Sequence, residues 1–581
     1  MTLFITRLLF CIIHSTYHMF CIKRLLFLLI TLGCVSIAAA QDIEESIKNK
    51  KPVTYSGSLD LRGIGYSATG ITDRRSPFTY ILNGNAEVNL YGVSIPFSVT
   101  LSEQERNVRQ PFNQFGMSPK YKWVQVHLGY RSITFSPYTL AGYTMLGAGI
   151  ELTPGKLRFG FMYGRLNRAT AIDTATGVVQ PYSFSRKGYA VKLGVGTDRK
   201  NIELSYLSAK DDSNSVRKDI PDSLRRVNPA GNAVVAIHSI YTFARKLFIE
   251  IDGGGSIYTT NIGSQLGQGE DLDAINSYTK GIVTVNATTL VNFAYTGSIG
   301  FKEKNWSVKA SYRHIDPEFQ SMGAYFFQND LESYTLGGSF NALKSRLRFS
   351  GSFGFQNDNL RQQKNAQTTR IIGNAALSAE VTDKLGIDAS YINFTASAAP
   401  KVVSVNNKYM LAQTTHNASV TPRFILAKPD YTHVVVASYN YSILNDHNTE
   451  TSLFNNIKTT VIFLNYSITQ NRSGLTLTVG GNNAATKFYT SVVNSYGGTI
   501  GANKGFFEAK LQTGISFCYS RTDQFGAATV MNVGLNADYS VTKHHKFSMR
   551  YALLNNKPDN ITATTPKYTE HTAELAYTLS F

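Results

Sequence analysis

Cysteine is nearly missing from this chain. Four occur in 581 residues, and Cys11, Cys21 and Cys34 all fall in an N-terminal stretch that reads as a leader. Beyond it only Cys518 remains, so no internal disulfide is expected in the exported chain. Tryptophan is scarcer still, at 2 residues against 33 tyrosines and 34 phenylalanines. Past the leader no apolar run reaches the roughly 18 residues of a membrane helix, which excludes a helical membrane protein. No Pro/Gly/Ser-rich linker divides the chain, although one soluble core stops growing near roughly 250–300 residues.

The leader itself is explicit. Lys23 and Arg24 precede the apolar run Leu25–Ile30, and Ala38-Ala39-Ala40 before Gln41 gives an A-x-A cleavage site. Residues 1–40 are expected to be a signal peptide, with Met1 or Met19 as the start. Cys34 raises a lipoprotein reading, but Leu32 stands two residues before it, where lipoproteins usually place it three before. Losing Arg7, Lys23 and Arg24 with the leader lowers the formal charge from +18 to +15. With no basic cluster and no recognition motif in an exported chain, nucleic acid is not an expected partner. The excess suits anionic lipid, or anions crossing a wall.

What the chain has in abundance is alternation. The last eleven residues, His571–Phe581, put Ala573, Leu575, Tyr577, Leu579 and Phe581 on one phase and Thr572, Glu574, Thr578 and Ser580 on the other. That is a period-2 strand, long enough for a tilted crossing of a bilayer, which takes roughly 9–11 residues. Alone it equally fits the edge of a soluble sandwich. The same pattern recurs at 157–164, 306–313, 347–355, 531–539 and 547–552.

The connections separate the two readings. Short ones carrying Lys or Arg recur at 153–156, 198–201, 244–246, 302–305, 382–384, 501–504 and 542–544. Longer polar ones lie between them, near 168–186, 210–229, 260–290, 315–330, 358–368, 398–412, 445–453 and 557–567. Basic residues in the short turns suit lipid headgroups, and equally the ordinary chemistry of exposed turns. Short and long in strict turn is the topology of membrane β-barrels; a soluble β-protein has no reason to keep that parity. With the leader and the terminal strand, the pattern resembles bacterial outer-membrane β-barrel proteins over essentially the whole mature chain. The Tyr- and Asn-rich, Trp-poor texture resembles barrels of Bacteroidota-type Gram-negative bacteria.

The resemblance implies an all-β fold, a single large transmembrane antiparallel β-barrel over residues 53–581 after a short periplasmic lead-in at 41–52. It also implies residence in the outer membrane, contact with its lipid and lipopolysaccharide, and insertion by the barrel-assembly machinery. Tyr577, Leu579 and Phe581 would then form the sorting signal. Counting segments gives about 25, but such barrels normally have an even number. Fusing the two short segments that flank Ser136-Pro137-Tyr138 between Trp123 and Leu152 gives about 24; a missed strand in 278–302 gives about 26. The expectation is about 24.

A barrel that wide needs filling, since known barrels of about 22 strands carry a plug. TonB-dependent transporters use a folded N-terminal domain for this, and 41–52 is too short to be one. The stretch 104–143 is the internal candidate for a constriction, with Arg106, Arg109, Lys122, Arg131, Tyr130 and Tyr138 as its polar groups and Pro111, Pro119 and Pro137 breaking it into non-strand pieces. The bland reading is an outer loop packed on itself. Charges on the polar phase (Arg158, Lys309, Arg313, Arg348, Arg550, Glu203 and Asp388) would line the lumen, as selectivity groups or as the paired charges any wet interior needs.

Other chemistry is thin. The acids of Gly267–Asp273 lack calcium-loop spacing, and His544-His545 has no second cluster to complete a metal site. Asp252-Gly253-Gly254-Gly255-Ser256 is no phosphate loop and is expected to mark a bulge or bend. No Ser/His spacing singles out a catalytic pair, so no enzyme, cofactor or metal is assigned. The leading expectation is a porin-like channel for small hydrophilic solutes, anionic ones included. The alternative is a non-conducting scaffold, or a secretion- or adhesion-associated barrel that holds a protein partner in its lumen or on its outer loops.

Overall fold

The computed structural model describes residues 53–103, 110–170, 182–216, 227–265, 276–277, 283–324, 328–363, 366–400, 411–448, 451–524 and 526–581. The expectations for the leader and lead-in, for Arg106 and Arg109, and for Gly267–Asp273 fall outside them.

Alternating segments become antiparallel strands, each hydrogen-bonded to its sequence neighbour. The ladder closes on itself: Val53–Thr69 pairs with Phe78–Leu90 on one side and with Tyr568–Ser580 on the other, through 12 residue pairs from Ser58–Ser580 to Thr69–Thr569. Just beyond, Gly57 and Phe581 exchange backbone hydrogen bonds of 2.8 and 3.0 Å. A closed ladder leaves no unpaired edge, which is what a wall surrounded by hydrocarbon requires.

The barrel has 26 strands rather than 24. One of the two additional strands arises between Trp123 and Leu152, where Val124–Ser132 and Thr144–Leu152 are two complete strands in register with each other. Nor is 104–143 free of strand. Gln114–Met117 and Lys120–Tyr121 are two pieces of one wall strand, interrupted where Pro119 cannot donate to the ladder. Residues 501–504, expected as a turn, lie inside the strand Ser491–Phe506.

Connections alternate in length around the ring. Tyr91-Gly92 joins two strands with φ of 48° and 88°, the left-handed pair that a two-residue hairpin turn demands. At the other end the chain between strands is mostly longer, as at 133–143 and 316–330. Both ends of the barrel chain, Val53 and Phe581, sit at the short-turn end.

Pairing carries the in/out phase from strand to strand. Met145 is fully buried inside the ring; its partner Arg131 reaches Ser98 Oγ at 3.0 Å, and the same face continues through Asp60–Thr578 and Asp538–Lys546 to Cys518. The opposite face bears Ile251, Leu336, Ile500 and Leu575, each more than half exposed. An apolar skin of that extent is unstable in water. Near the short-turn end the same face carries paired aromatics, including Phe301–Trp306 and Phe340–Phe349, stacked at 5.2 Å, and Phe547–Tyr577, tilted at 5.0 Å. This is the girdle expected where a barrel meets an interface.

Candidate functional site: a partly filled lumen

Among the described residues, two of the longer connections turn inward and pack on one side of the wall. Residues 133–143 make a tight reversal, with the Phe135 and Thr139 amides donating to the carbonyls of Leu140 and Ser136. Residues 316–324 lie against them: the Ala141 amide donates to Gly323 O at 3.0 Å and Ser321 Oγ to Thr139 O at 2.8 Å. Tyr138 and Phe319 meet edge to face, 5.9 Å between ring centres. Together with Leu140 and Met322 they cover a wall patch of Met145, Met162, Ala190, Leu207, Val234, Ala236 and Ala294. Here the inward phase is apolar and small, so it accepts side chains instead of water.

Polar anchors fix the fit. Tyr138 Oη lies 2.6 Å from Thr296 Oγ1, Thr139 Oγ1 lies 3.0 Å from Ser205 Oγ, and the Met322 amide donates to Asn232 Oδ1 at 2.9 Å. Burial raises the pKa of the Tyr138 hydroxyl. The Gly253–Gly255 run neither bulges nor bends, since its register is unbroken; Gly254 instead leaves the space that Tyr138 occupies.

Below this plug the wall is charged, and its charges are paired. Arg158 contacts Glu203 at 3.0 Å and Asp198; Lys192 lies 3.6 Å from Glu151 and 3.8 Å from Glu203. Lys309 meets Glu250 at 2.9 Å, and His238 meets Asp252 at 2.8 Å. A pocket of about 380 Å³ opens between these groups and the underside of Thr134–Pro137.

The expected constriction residues scatter. Tyr138 stands at the heart of the plug, and Arg131 faces inward beside Met145. Tyr130 is its neighbour on the same strand and must face out; it meets Phe115, itself 54% exposed, edge to face. Lys122 lies in a tight turn at the short-turn end, its Nζ 5.5 Å over the Tyr121 ring. Of the expected lumen charges, Arg158, Glu203, Lys309 and Arg313 line the plugged side, Arg313 reaching Thr296 Oγ1 at 3.4 Å. Asp388 pairs with Arg423 at 3.5 Å and Arg550 with Glu574 at 3.8 Å; Arg348 is inward and exposed. Tyr577, Leu579 and Phe581 share the outward face, and Tyr577 Oη lies 2.8 Å from His545 Nδ1.

Two features escaped the sequence. The second inward segment, 316–324, lay in a stretch marked only as a loop, although Phe319 and Met322 in a polar connection were a signal. Ser118 Oγ, His127 and Glu151 also stand in line, at 3.0 and 3.2 Å. Ser118 and His127 are buried, and the imidazole meets the hydroxyl through Nδ1.

The far side of the lumen differs. Across the five strands from Tyr431–Asp446 to Leu511–Thr522, the inward phase carries Ser, Thr, Asn, Gly and a few apolar residues. It bears no charged side chain until Asp446 at the outer end. These inward groups are half-exposed, whereas those under the plug are fully buried.

No family model matches the chain, and no curated protein does. Solved structures do. Acinetobacter baumannii OccAB4 is 10% identical with a TM-score of 0.28, over 69% of this chain and 99% of its own. The outer membrane protein OpdK from Pseudomonas aeruginosa is 9% identical with a TM-score of 0.27, over 61% and 94%. The P pilus usher (PapC) translocation pore is 10% identical with a TM-score of 0.38, over 91% and 99%. At such scores the likeness carries no argument of its own; the closed seam does. The chain is a large closed β-barrel.

Proposed function

We propose that this barrel spans the bacterial outer membrane, reached through its signal peptide, and passes small hydrophilic solutes along the uncovered side of its lumen. The observation that carries the reading is the asymmetry of the interior. Among the described residues, two inward segments fill one side, and the opposite wall of hydroxyls and amides is half-exposed. Hydroxyl and amide groups exchange hydrogen bonds with a passing solute without holding it, which conduction requires. Anion preference has less support, because Arg158, Lys309 and Arg550 each face a carboxylate. Recording from the purified barrel in planar bilayers tests this: steady conductance with little charge preference is expected. Silence from folded protein would favour a scaffold holding a protein partner.

A further inference from the structure

We infer that the lumen wall holds a site for a divalent transition-metal ion, built from His238, Glu250 and Asp252. One donor atom of each lies within 4.8 Å of the other two. The strands Gly231–Phe243 and Leu247–Thr259 place them: His238 pairs directly with Asp252, and Glu250 follows on the same face two residues along. Cβ atoms of directly opposed residues stand roughly 4.5–5.5 Å apart. The donors therefore converge without any loop having to order.

The surroundings single out these three groups. Glu203 is taken up by Arg158 and Lys192, and Glu151 by Lys192 and His127. Glu250 has the ammonium of Lys309 at 2.9 Å, and among the described ion pairs Asp252 has only the imidazole of His238, at 2.8 Å. Asp252 is only 8% exposed, and a neutral imidazole would leave it with no cation among those pairs. A carboxylate so buried calls for a positive partner. A dication balances both and releases Lys309 to the lumen water. Imidazole beside carboxylates suits Zn²⁺, Co²⁺ or Ni²⁺, whereas Mg²⁺ and Ca²⁺ prefer oxygen throughout. Three protein ligands leave a coordination position open, and the pocket under Thr134–Pro137 provides room for it.

The test uses the mature barrel folded in detergent and does not depend on conductance. Equilibrium dialysis against Zn²⁺, with the metal counted by mass spectrometry, is expected to return one tightly held ion per chain. His238→Gln and Asp252→Asn should each weaken binding roughly tenfold or more. His545→Gln, at a distant turn, should leave it unchanged. Lys309→Met keeps all three donors and removes the competing ammonium, so it should tighten binding. Migration on unheated gels reports folding of every variant. Undiminished binding in folded His238→Gln barrels, or loss in His545→Gln, would overturn the site. Should His238→Gln not fold, Lys309→Met decides: unchanged or weaker binding overturns it.

Discussion

Tyr138 fills the space that Gly254 leaves empty. A Cβ placed on Gly254 would stand 2.7 Å from the Cβ of Tyr138, well inside contact distance. One inward loop thus depends on a missing methyl in the wall it rests on, 116 positions further along the chain.

Gly254→Leu should force the loop away from the wall while leaving the strand ladder paired. Overpacking of this kind costs roughly 1–3 kcal/mol, to be borne by the plug contacts. Single-channel conductance is expected to rise above that of the wild type; an unchanged value would show that the loop does not narrow the path.

Tyr138→Phe keeps the ring against Phe319 and removes the hydrogen bond to Thr296. A neutral hydrogen bond contributes roughly 0.5–1.5 kcal/mol. The expected result is a more restless channel, with added current noise, and a barrel whose thermal unfolding is little altered. Tyr138→Ala should go further, at roughly 3–5 kcal/mol for an emptied aromatic site.

Deleting Phe581 removes the last two seam hydrogen bonds, to Gly57, and the ring contact with Tyr55 at 6.0 Å. Twelve residue pairs of the seam remain. Assembly should slow, seen as a smaller heat-modifiable fraction at early times. The finished barrel should be nearly as stable as the wild type by unfolding in denaturant.

Asp559, in the outer loop 559–567, is held below the usual carboxylate range by hydrogen bonds from Arg521 and by its charge. A folded-state pKa below the unfolded one gives stability that is present above the unfolded value and lost as pH falls through the folded one. Protection of the Asp559 amide, which donates to Ala527 O, against hydrogen exchange, taken relative to the intrinsic rate at each pH, should therefore fall only in acid, below ordinary carboxylate titration. Asp559→Asn should lower that protection at every pH.

The wall was legible because a closed barrel writes itself as period-2 alternation with turns of alternating length. Strand number was not, since Ser136-Pro137-Tyr138 looks the same in a bend as in an inward loop between two strands. The interior was harder still. Glycine at 254 and alanine at 190, 236 and 294 carry no mark of what covers them. His238 and Asp252 become neighbours only through the register of two strands. Phase settled Tyr130 against Arg131: adjacent residues on one strand cannot both face the lumen.

Conduction along this wall requires water to reach the inward face of the strands opposite the plug, and Cys518, the lone cysteine among the described residues, reports on it. Cys518 lies on that face between Thr499 and Asn532. A charged, membrane-impermeant thiol reagent should modify it promptly in the folded barrel embedded in liposomes. Protection until the barrel is boiled, or reaction only with a lipophilic reagent from the bilayer side, would contradict an open lumen along this wall.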